Sequence, residues 1–275
     1  MENKRVLVIG GTGYIGKELV DELIRRGYSV KVISRKAYGE HILQGSVLDK
    51  EFLSENIKNF DYVIYLTAVI RSILKSRYKQ NATGLGNVID VMNENKIRKI
   101  IYFSTMNVNI KKTGHYGNSK KECEKIIKES SLDYVIIRPN YVYGIDRNNY
   151  FYDLIKTIRR TKICPVIGFG GNKIQPVNKN DLARITADVL RYFNPGETIE
   201  VSGRNAFSIN EVIAIIKKEG NFRFLKFYIP ITFLKLFKRF IPFDVDGFDE
   251  DRISIKNDFS FGHNLRDDIK EMMKL

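Results

Sequence analysis

The chain is poor in cysteine and has no long apolar run, and each of these absences argues against particular classes of protein. Cys123 and Cys164 are the two cysteines in 275 residues, and their spacing fits neither a metal site nor a disulfide framework. No stretch of 18 or more apolar residues occurs, which argues against a membrane-spanning helix. A strand-like segment begins at residue 5 and leaves no room for a signal peptide before it. We therefore expect a cytoplasmic protein with reduced thiols and no metal.

The chain also lacks a dense block of like charge. Its formal net charge is +14, but residues 1–145 carry 24 basic and 15 acidic groups and residues 146–275 carry 22 and 17. Nucleic-acid-binding proteins usually concentrate positive charge on one face or in a tail. We expect no nucleic-acid partner, and a diffuse positive field suits an anionic small molecule.

Short apolar runs alternate with amphipathic segments through the first 145 residues. The Val/Ile-rich, strand-like runs cover 5–10, 28–34, 61–69, 99–105 and 133–139. The helical segments between them cover 14–27, 50–58, 83–95 and 116–130. Continuous apolar strands separated by helices are typical of a parallel sheet covered on both faces. The pattern predicts an α/β fold with a doubly wound parallel sheet, the Rossmann type.

The alternation loosens after residue 145, although helices are predicted at 180–193 and 208–220 with a strand at 198–203. We expect two units with the following bounds. Residues 1–145 form a dinucleotide-binding domain to which 175–205 returns, and residues 146–174 and 206–275 form a smaller substrate-binding lobe.

The segment "FYIPITFLKLFKRFIPF" (227–243) is dense in Phe and Ile and carries Lys235, Lys238 and Arg239. Basic residues beside bulky apolar ones suit a helix that lies on a membrane surface. The simpler interpretation, which we favour at this stage, is a helix that packs the small lobe without membrane contact.

A glycine-rich turn follows the first strand. Gly10, Gly13 and Gly16 open the first helix, where the dinucleotide-binding fingerprint lies. Gly10 permits a tight turn, Gly13 lets the backbone approach a pyrophosphate, and Gly16 allows close packing of helix and strand. The helix N-terminus adds free N–H groups and a positive dipole end. The other predicted cofactor contacts of this turn are Thr12, Tyr14 and Ile15.

The end of the second strand selects the dinucleotide. An NAD site usually places an acidic residue there to hold the ribose 2′-OH, whereas this chain has Ser34, Arg35 and Lys36. One hydroxyl and two cations match a 2′-phosphate. The sequence favours NADP(H) over NAD(H).

Two Tyr-x-x-x-Lys pairs occur: Tyr116 with Lys120, and Tyr152 with Lys156. Chance alone supplies such a match in a chain with 15 Tyr, so the surroundings must decide. Residues at i and i+4 project from one helix face. A nearby ammonium favours the phenolate and lowers the pKa of a tyrosine from its usual value near 10, which would let it act as a general acid or base.

The chain resembles the extended short-chain dehydrogenase/reductase family, also called the NAD-dependent epimerase/dehydratase family. Five motifs stand in the family's order: "GGTGYIG", "LTA" (66–68), "ST" (104–105), "YGNSK" (116–120) and "RPNYVYG" (138–144). The resemblance is strongest over 5–145, continues through 175–183 and is thin after about residue 205. The pair Tyr152 and Lys156 has no such context and is interpreted as an ordinary helix pair.

The resemblance implies a catalytic set of Thr105, Tyr116 and Lys120. Tyr116 would be the general acid or base on a sugar hydroxyl or ketone, Lys120 would also hold the nicotinamide ribose, and Thr105 would hydrogen-bond the reacting oxygen. Further expected cofactor contacts are Ser46, Val47, Leu66, Thr67, Ala68 and Pro139. The expected substrate contacts, with arginines for a diphosphate, are Arg71, Asn140, Arg223 and Arg252. The family also implies a homodimer formed through the helices at 83–95 and 116–130.

Three departures from the family pattern bear on the reaction. Met106 and Asn107 stand where the sugar 4,6-dehydratases of the family carry an Asp-Glu pair, which disfavours water elimination. Ser46 stands where members often place an Asp that contacts the adenine. Substrate signatures are faint in residues 251–264.

These observations predict an NAD(P)-dependent enzyme that acts on a nucleotide-diphosphate sugar as a 4-keto reductase or a 4-epimerase. The NADP-like strand end favours the reductase, since a net reduction draws hydride from NADPH. Two alternatives remain open. One is an NADPH-dependent reductase of small apolar carbonyl substrates, which the Phe-rich 222–243 segment permits. The other is a non-catalytic dinucleotide sensor or complex subunit, against which the presence of both Tyr116 and Lys120 counts.

Overall fold

The computed structural model describes residues 4–36, 39–237, 240–241, 247, 250–254 and 259–275. Several residues named above lie outside the described residues, namely Lys238, Arg239, 242–243 and 255–258.

The strands of the described chain form one seven-stranded parallel sheet and three two-stranded ladders. In chain order they are β1 (Arg5–Ile9), β2 (Ser29–Ser34), β3 (Ile42–Gln44), β4 (Tyr62–Tyr65), β5 (Lys99–Phe103), β6 (Asp133–Pro139), β7 (Val142–Tyr143), β8 (Ile163–Ile167), β9 (Lys173–Ile174), β10 (Val177–Asn178), β11 (Glu197–Val201), β12 (Phe207–Ser208) and β13 (Leu225–Ile229).

The helices connect and cover these strands. They are α1 (Gly16–Arg25), α2 (Lys50–Asn56), α3 (Lys79–Glu94), α4 (His115–Glu129), α5 (Tyr150–Thr161), α6 (Lys179–Arg191), α7 (Ile209–Glu219), α8 (Ile231–Leu236) and α9 (Leu265–Met272). Short 3-10 helices cover Lys75–Tyr78 and Met106–Asn109. No helix of the described residues is long and apolar enough to cross a membrane.

The central sheet has the strand order β11-β6-β5-β4-β1-β2-β3. Alternate residues of a strand face opposite sides of a sheet, and β1 shows the consequence: Val6 and Val8 pack with α1 and α6, whereas Leu7 and Ile9 pack with α2, α3 and α4. Both faces are therefore buried under helices, which explains the continuous apolar strand sequences. This arrangement confirms the predicted doubly wound fold.

A third apolar cluster lies outside the central sheet. It joins α5, α7 and α9 with the strand β8 and includes Phe151, Ile155, Val166, Ile213 and Ile269. Two elements that lie between the segments of this cluster in the chain belong to the central sheet: α6 covers one face of the sheet, and β11 pairs with β6.

The Phe-rich segment differs from its prediction. The sequence favoured one helix over 227–243 that packs the small lobe, but Leu225–Ile229 is a strand paired with β8, and Pro230 precedes a helix of six residues, α8. None of the residues of α8 is buried. The prediction of a single helix is therefore wrong for the described residues, although Ile231 and Leu234 of α8 are half-buried. An apolar pattern shows that a side chain avoids water, but it does not show what covers that side chain.

Candidate active site

The glycine turn lies between the end of β1 and the start of α1. Gly10 has φ = +89° and its N–H donates to the carbonyl oxygen of Ile33 at 2.9 Å, a left-handed conformation that favours glycine. A Cβ at Gly16 would collide with the carbonyl oxygen of Gly10. At Gly13 a Cβ would meet that oxygen alone, at 3.2 Å. The backbone of the turn is therefore crowded between Gly10 and Gly16 and open at Gly13. This shape fits a dinucleotide pyrophosphate at the N-terminus of α1.

The other residues of this turn are tied to neighbouring segments. Burial and the nearby Asp146 carboxylate raise the pKa of Tyr14 above its usual range. The Lys179 ammonium lies 5.0 Å from the centre of the Tyr14 ring and pairs with Asp146 at 3.0 Å and with Glu18 at 2.7 Å. Ile15 is the residue before α1 and packs against the apolar cluster under α1 and α6. These contacts fix the first turn of α1 against the loop after β7.

The end of β2 carries the three residues expected at a 2′-phosphate. Ser34 is buried, and its hydroxyl lies 2.6 Å from the Thr12 hydroxyl and accepts from the Lys36 N–H at 3.2 Å. The side chains of Arg35 and Lys36 are exposed beyond the strand end. Two cations are thus available to a phosphate beside the glycine turn, while the Ser34 hydroxyl already has partners in the chain.

Ser46 and Val47 follow β3 in a turn that leads into α2. The Ser46 hydroxyl accepts from the Leu48 N–H at 3.2 Å, and the Val47 carbonyl accepts from the Asn87 amide at 3.0 Å. The Ser46 hydroxyl and the Val47 carbonyl, which were expected near an adenine, thus accept hydrogen bonds from within the chain. This turn holds its shape through contacts with α3.

The segment Leu66–Ala68 follows β4 at the same edge of the sheet as the glycine turn. Leu66 donates its N–H to Ile9 at 2.9 Å, and the Thr67 N–H nitrogen lies 3.1 Å from the Cβ position of Gly10. The predicted strand over 61–69 ends early, at Tyr65. Pro139, the last of the expected cofactor contacts, ends β6 beside Val201. These segments stand at the carboxyl ends of parallel strands, where ligands of such sheets bind.

Asn81 is a residue that the sequence did not single out. This buried side chain of α3 accepts from the Val69 N–H at 2.6 Å and donates to the Val69 carbonyl at 3.2 Å and to the Ser119 hydroxyl at 2.9 Å. Ser119 in turn donates to the carbonyl of Tyr116 at 2.8 Å. The N–H and carbonyl of Val69 therefore bond the side chain of Asn81 and not a neighbouring strand. Asn81 thereby joins the loop after β4 to α4.

Lys120 lies on α4 with its side chain buried. It is 2% exposed, its Nζ donates to the Phe103 carbonyl at 2.6 Å, and the Nζ lies 4.6 Å from the centre of the Tyr102 ring. Burial lowers the pKa of Lys120 to about 8, against the opposing effects of Cys123 and Glu124. The Phe103 carbonyl ends β5, so α4 places this amine at the carboxyl edge of the sheet.

Tyr116 lies one turn before Lys120 on α4 and is half-buried. Burial raises the pKa of Tyr116, with smaller effects from Cys123 and Tyr78. The expectation that Lys120 lowers the pKa of Tyr116 is wrong for this structure, since the desolvation of the phenol dominates. Thr105 is also half-buried, and its hydroxyl accepts from the Asn107 N–H at 3.3 Å at the start of the 3-10 helix.

Glu124, one turn beyond Lys120, joins three elements in a polar network that the sequence analysis missed. Its carboxylate accepts from the Ser104 hydroxyl at 2.5 Å and from two guanidinium nitrogens of Arg138 at 2.9 and 2.6 Å. Burial opposes ionisation, but these hydrogen bonds hold the pKa of Glu124 below its ordinary value. Arg138 reaches the Asn109 side chain at 3.1 Å. The network fixes α4 against β5 and β6.

The four expected substrate contacts are in different situations. The Asn140 amide is buried and donates to the Ser202 hydroxyl at 3.1 Å and to the Arg252 carbonyl at 2.8 Å, so its donors hold the C-terminal segment. The Arg252 guanidinium is half-buried, donates to the Gly247 carbonyl at 2.9 Å, and has a pKa that burial lowers. Arg71 and Arg223 are exposed. Arg71 lies near Tyr141, whose pKa it lowers against the larger effect of burial. Among the described polar contacts, none joins Arg223 to the other three.

Comparison with known proteins finds a family and relatives that this chain resembles. Residues 10–163, more than half of the chain, match the family described as NAD(P)H-binding. A UDP-glucose 4-epimerase from Streptococcus mutans is 30% identical over 268 residues, covering 78% of this chain and 80% of that protein. An N-acetyl-alpha-D-glucosaminyl-diphospho-ditrans,octacis-undecaprenol 4-epimerase from Escherichia coli O157:H7 is 24% identical over 253 residues, covering 83% and 76%.

A solved structure shows the same fold. The UDP-glucuronic acid 4-epimerase from Bacillus cereus, in complex with UDP-glucuronic acid and NAD, superposes with a TM-score of 0.81 at 20% identity, and the match covers 98% of each chain.

Proposed function

Since the chain belongs to the extended short-chain dehydrogenase/reductase family of NAD(P)-dependent enzymes, we propose that it is a 4-epimerase of a nucleotide-diphosphate sugar. The observation that carries the proposal is the placement of α4. Its buried Lys120 amine bonds the end of β5, one turn from Tyr116, at the sheet edge that holds the glycine turn. The relative from Streptococcus mutans with 30% identity supports the substrate class and the C4 position.

In this proposal Tyr116 takes the proton of the sugar 4-hydroxyl and later returns it to the same oxygen, after the 4-keto sugar has turned to offer the opposite face of C4 for the return of hydride. A general acid or base of this kind contributes about 10²–10⁴ in rate. Thr105 hydrogen-bonds the same oxygen and orients it. A bound NAD⁺ would supply the hydride chemistry at C4, and its positive charge would favour the phenolate of Tyr116.

Lys120 has a positioning role as well as an electrostatic one in this proposal. An ammonium has three N–H donors, and one of them bonds the Phe103 carbonyl. The remaining two serve the nicotinamide ribose and the phenol of Tyr116. Met106 and Asn107 offer no carboxylate for water elimination, so the proposed reaction ends at the epimer.

Turnover of UDP-sugars tests the proposal directly. The purified protein, given UDP-glucose and NAD⁺, is expected to form UDP-galactose until both epimers are at equilibrium, with no net change in the reduced nicotinamide absorbance. NMR of the sugar anomeric protons measures the conversion. Dinucleotide binding without turnover of UDP-sugars carrying glucose, glucuronic acid or N-acetylglucosamine would instead favour a sensor or a subunit.

A 4-keto reductase that uses NADPH is the second candidate, favoured by one observation. Arg35 and Lys36 are exposed at the end of β2 beside the glycine turn, where a 2′-phosphate would lie. A reductase would consume NADPH in proportion to a 4-keto sugar, whereas an epimerase consumes none.

The Arg35→Ala variant separates the two dinucleotides. Removing one charge-assisted contact is expected to weaken NADPH binding about tenfold and to leave NADH binding unchanged within about twofold. Isothermal titration with each dinucleotide measures both constants, with Lys31→Ala on the preceding part of β2 as the matched control. Equal weakening of NADPH and NADH would contradict the 2′-phosphate contact.

A further inference from the structure

An apolar patch is exposed on the small lobe around β13 and α8. Its members are large apolar side chains between 43% and 77% exposed, namely Phe169, Leu225, Phe227, Tyr228, Phe233, Leu236, Phe237 and Phe240. Single exposed apolar residues are ordinary on protein surfaces, but a contiguous group of this kind marks an interaction site.

A few contacts hold the segments of the apolar patch next to one another. β13 pairs along its length with β8, and the chain leaving β8 reaches α8, because a Cβ at Gly168 would lie 3.0 Å from Ile231. The Asn210 amide donates to the carbonyl of Phe169 at 2.7 Å and accepts from the Lys226 amine at 3.0 Å. Within α8 and its end, the rings of Phe233 and Phe237 lie 5.0 Å apart. Since alternate residues of a strand face opposite sides, Leu225 and Phe227 lie on one face of the β8–β13 ladder and Tyr228 on the other. The contiguous part of the apolar patch is the stripe of Phe233, Leu236 and Phe237 along α8 and its end.

The sequence segment that carries most of the apolar patch has charge of one sign. Residues 220–243 contain no Asp or Glu, although the chain has 32 of them. The same residues hold seven of the 17 Phe and five cations, the latter being Arg223, Lys226, Lys235, Lys238 and Arg239. Lys226 and Lys235 are exposed within the patch. A segment that combines bulky apolar groups and cations with no acidic residue complements an apolar phase bounded by anions.

We infer that the apolar patch docks the protein on an anionic lipid surface. Phe and Leu side chains enter the boundary between headgroups and acyl chains, while Lys226 and Lys235 pair with lipid phosphates. Protein–protein interfaces are depleted in Lys, so the composition of this patch favours a bilayer over a protein partner. The inference goes beyond the proposed reaction and does not depend on it.

Vesicle co-sedimentation of the full chain tests the inference. Wild type is expected to bind vesicles of phosphatidylcholine mixed with phosphatidylglycerol at roughly two to one and to bind pure phosphatidylcholine far more weakly. The double variant Phe233→Ser, Leu236→Ser should reduce the partition coefficient about 100-fold, because each buried apolar side chain contributes tenfold or more. Tyr192→Ser is the matched control, since Tyr192 is 70% exposed at the end of α6 and should leave binding unchanged.

A second variant tests the charge while it keeps the apolar side chains. Lys226→Glu, Lys235→Glu should abolish the preference for anionic vesicles, and raised salt should weaken wild-type binding because the Debye length shortens. Thermal unfolding checks that each variant folds, and turnover of a water-soluble UDP-sugar checks that the site is intact.

Two results would overturn the inference. One is vesicle binding that is absent in wild type or unaffected by either double variant. The other is a wild-type dimer, seen by light scattering, that Phe233→Ser, Leu236→Ser converts to a monomer while wild type ignores vesicles. That second result would assign the apolar patch to another copy of the chain.

Discussion

Helices α4 and α5 each carry a Tyr and a Lys four residues apart, and the two pairs lie in different surroundings. Lys120 of α4 is buried with its amine on the Phe103 carbonyl, whereas Lys156 of α5 is exposed. Tyr116 and Tyr152 are both half-buried. The same spacing therefore gives a desolvated amine at a sheet edge in one helix and a solvated amine in the other.

The difference follows from where each pair stands relative to the buried stripe of its helix. In α5 the buried residues are Phe151, Leu154, Ile155 and Ile158, an i, i+3, i+4, i+7 pattern that leaves Lys156 outside. In α4 the stripe contains Lys120, Cys123 and Ile127, so the lysine occupies a core position. A charged residue in a core position is costly, and it indicates function more strongly than spacing does.

The largest expected contrast between the two pairs is in turnover. Tyr116→Phe removes the proposed proton carrier and should lower kcat by about 10²–10⁴, whereas Tyr152→Phe should leave kcat unchanged. Titration of each variant with NAD⁺ should show intact dinucleotide binding, which separates a catalytic defect from misfolding. Equal activity of the two variants would end the distinction between the pairs.

The next contrast concerns stability as a function of pH. The pKa of Lys120 is lowered from 10.5 to about 8 in the folded protein, so the unfolded chain binds more protons between these values and the folded state gains stability as pH rises through this window. Relative to Lys120→Met, wild type should gain about 3 kcal/mol in free energy of unfolding from pH 8 to 10.5. Denaturant unfolding at several pH values measures the difference.

A flat difference across that window would mean that Lys120 is not desolvated. Lys156→Met is the matched control for activity and should turn over substrate like wild type, whereas Lys120→Met should lose turnover.

The smallest contrast lies one turn further along each helix, where α4 has Glu124 and α5 has Arg160. Glu124→Gln keeps the shape but weakens the charge-assisted bonds from Arg138 and Ser104, so we expect a loss of about 1–2 kcal/mol at neutral pH. The pKa of Glu124 lies below 4.5 in the folded protein, so this loss should shrink as pH falls below 4.5. Arg160→Gln on the exposed face should change stability by less than about 0.5 kcal/mol.

The sequence predicted the central sheet well because its strands are buried on both faces and leave continuous apolar runs. It predicted the glycine turn for a related reason, since Gly10 and Gly16 meet steric demands that few other residues satisfy. It failed at residues 227–237, where the apolar pattern is the same whether a side chain is covered or exposed. The spacing of apolar residues shows that their side chains prefer an apolar environment. It does not show what that environment is.

The polar framework of the site was also beyond the sequence. Asn81 bonds Ser119, 38 positions away, and Glu124 bonds Arg138 across two elements. Such single polar residues interrupt helical patterns without any local signal of their partners. The pKa of Tyr116 was predicted in the wrong direction for a comparable reason, because desolvation depends on packing that spacing does not report.

The contacts of Asn81 limit how the loop after β4 can move relative to α4. Its amide bonds both backbone groups of Val69 and the Ser119 hydroxyl at once, so separating the loop after β4 from α4 would break three hydrogen bonds. We therefore expect the loop after β4 to move together with α3 and α4 as one unit.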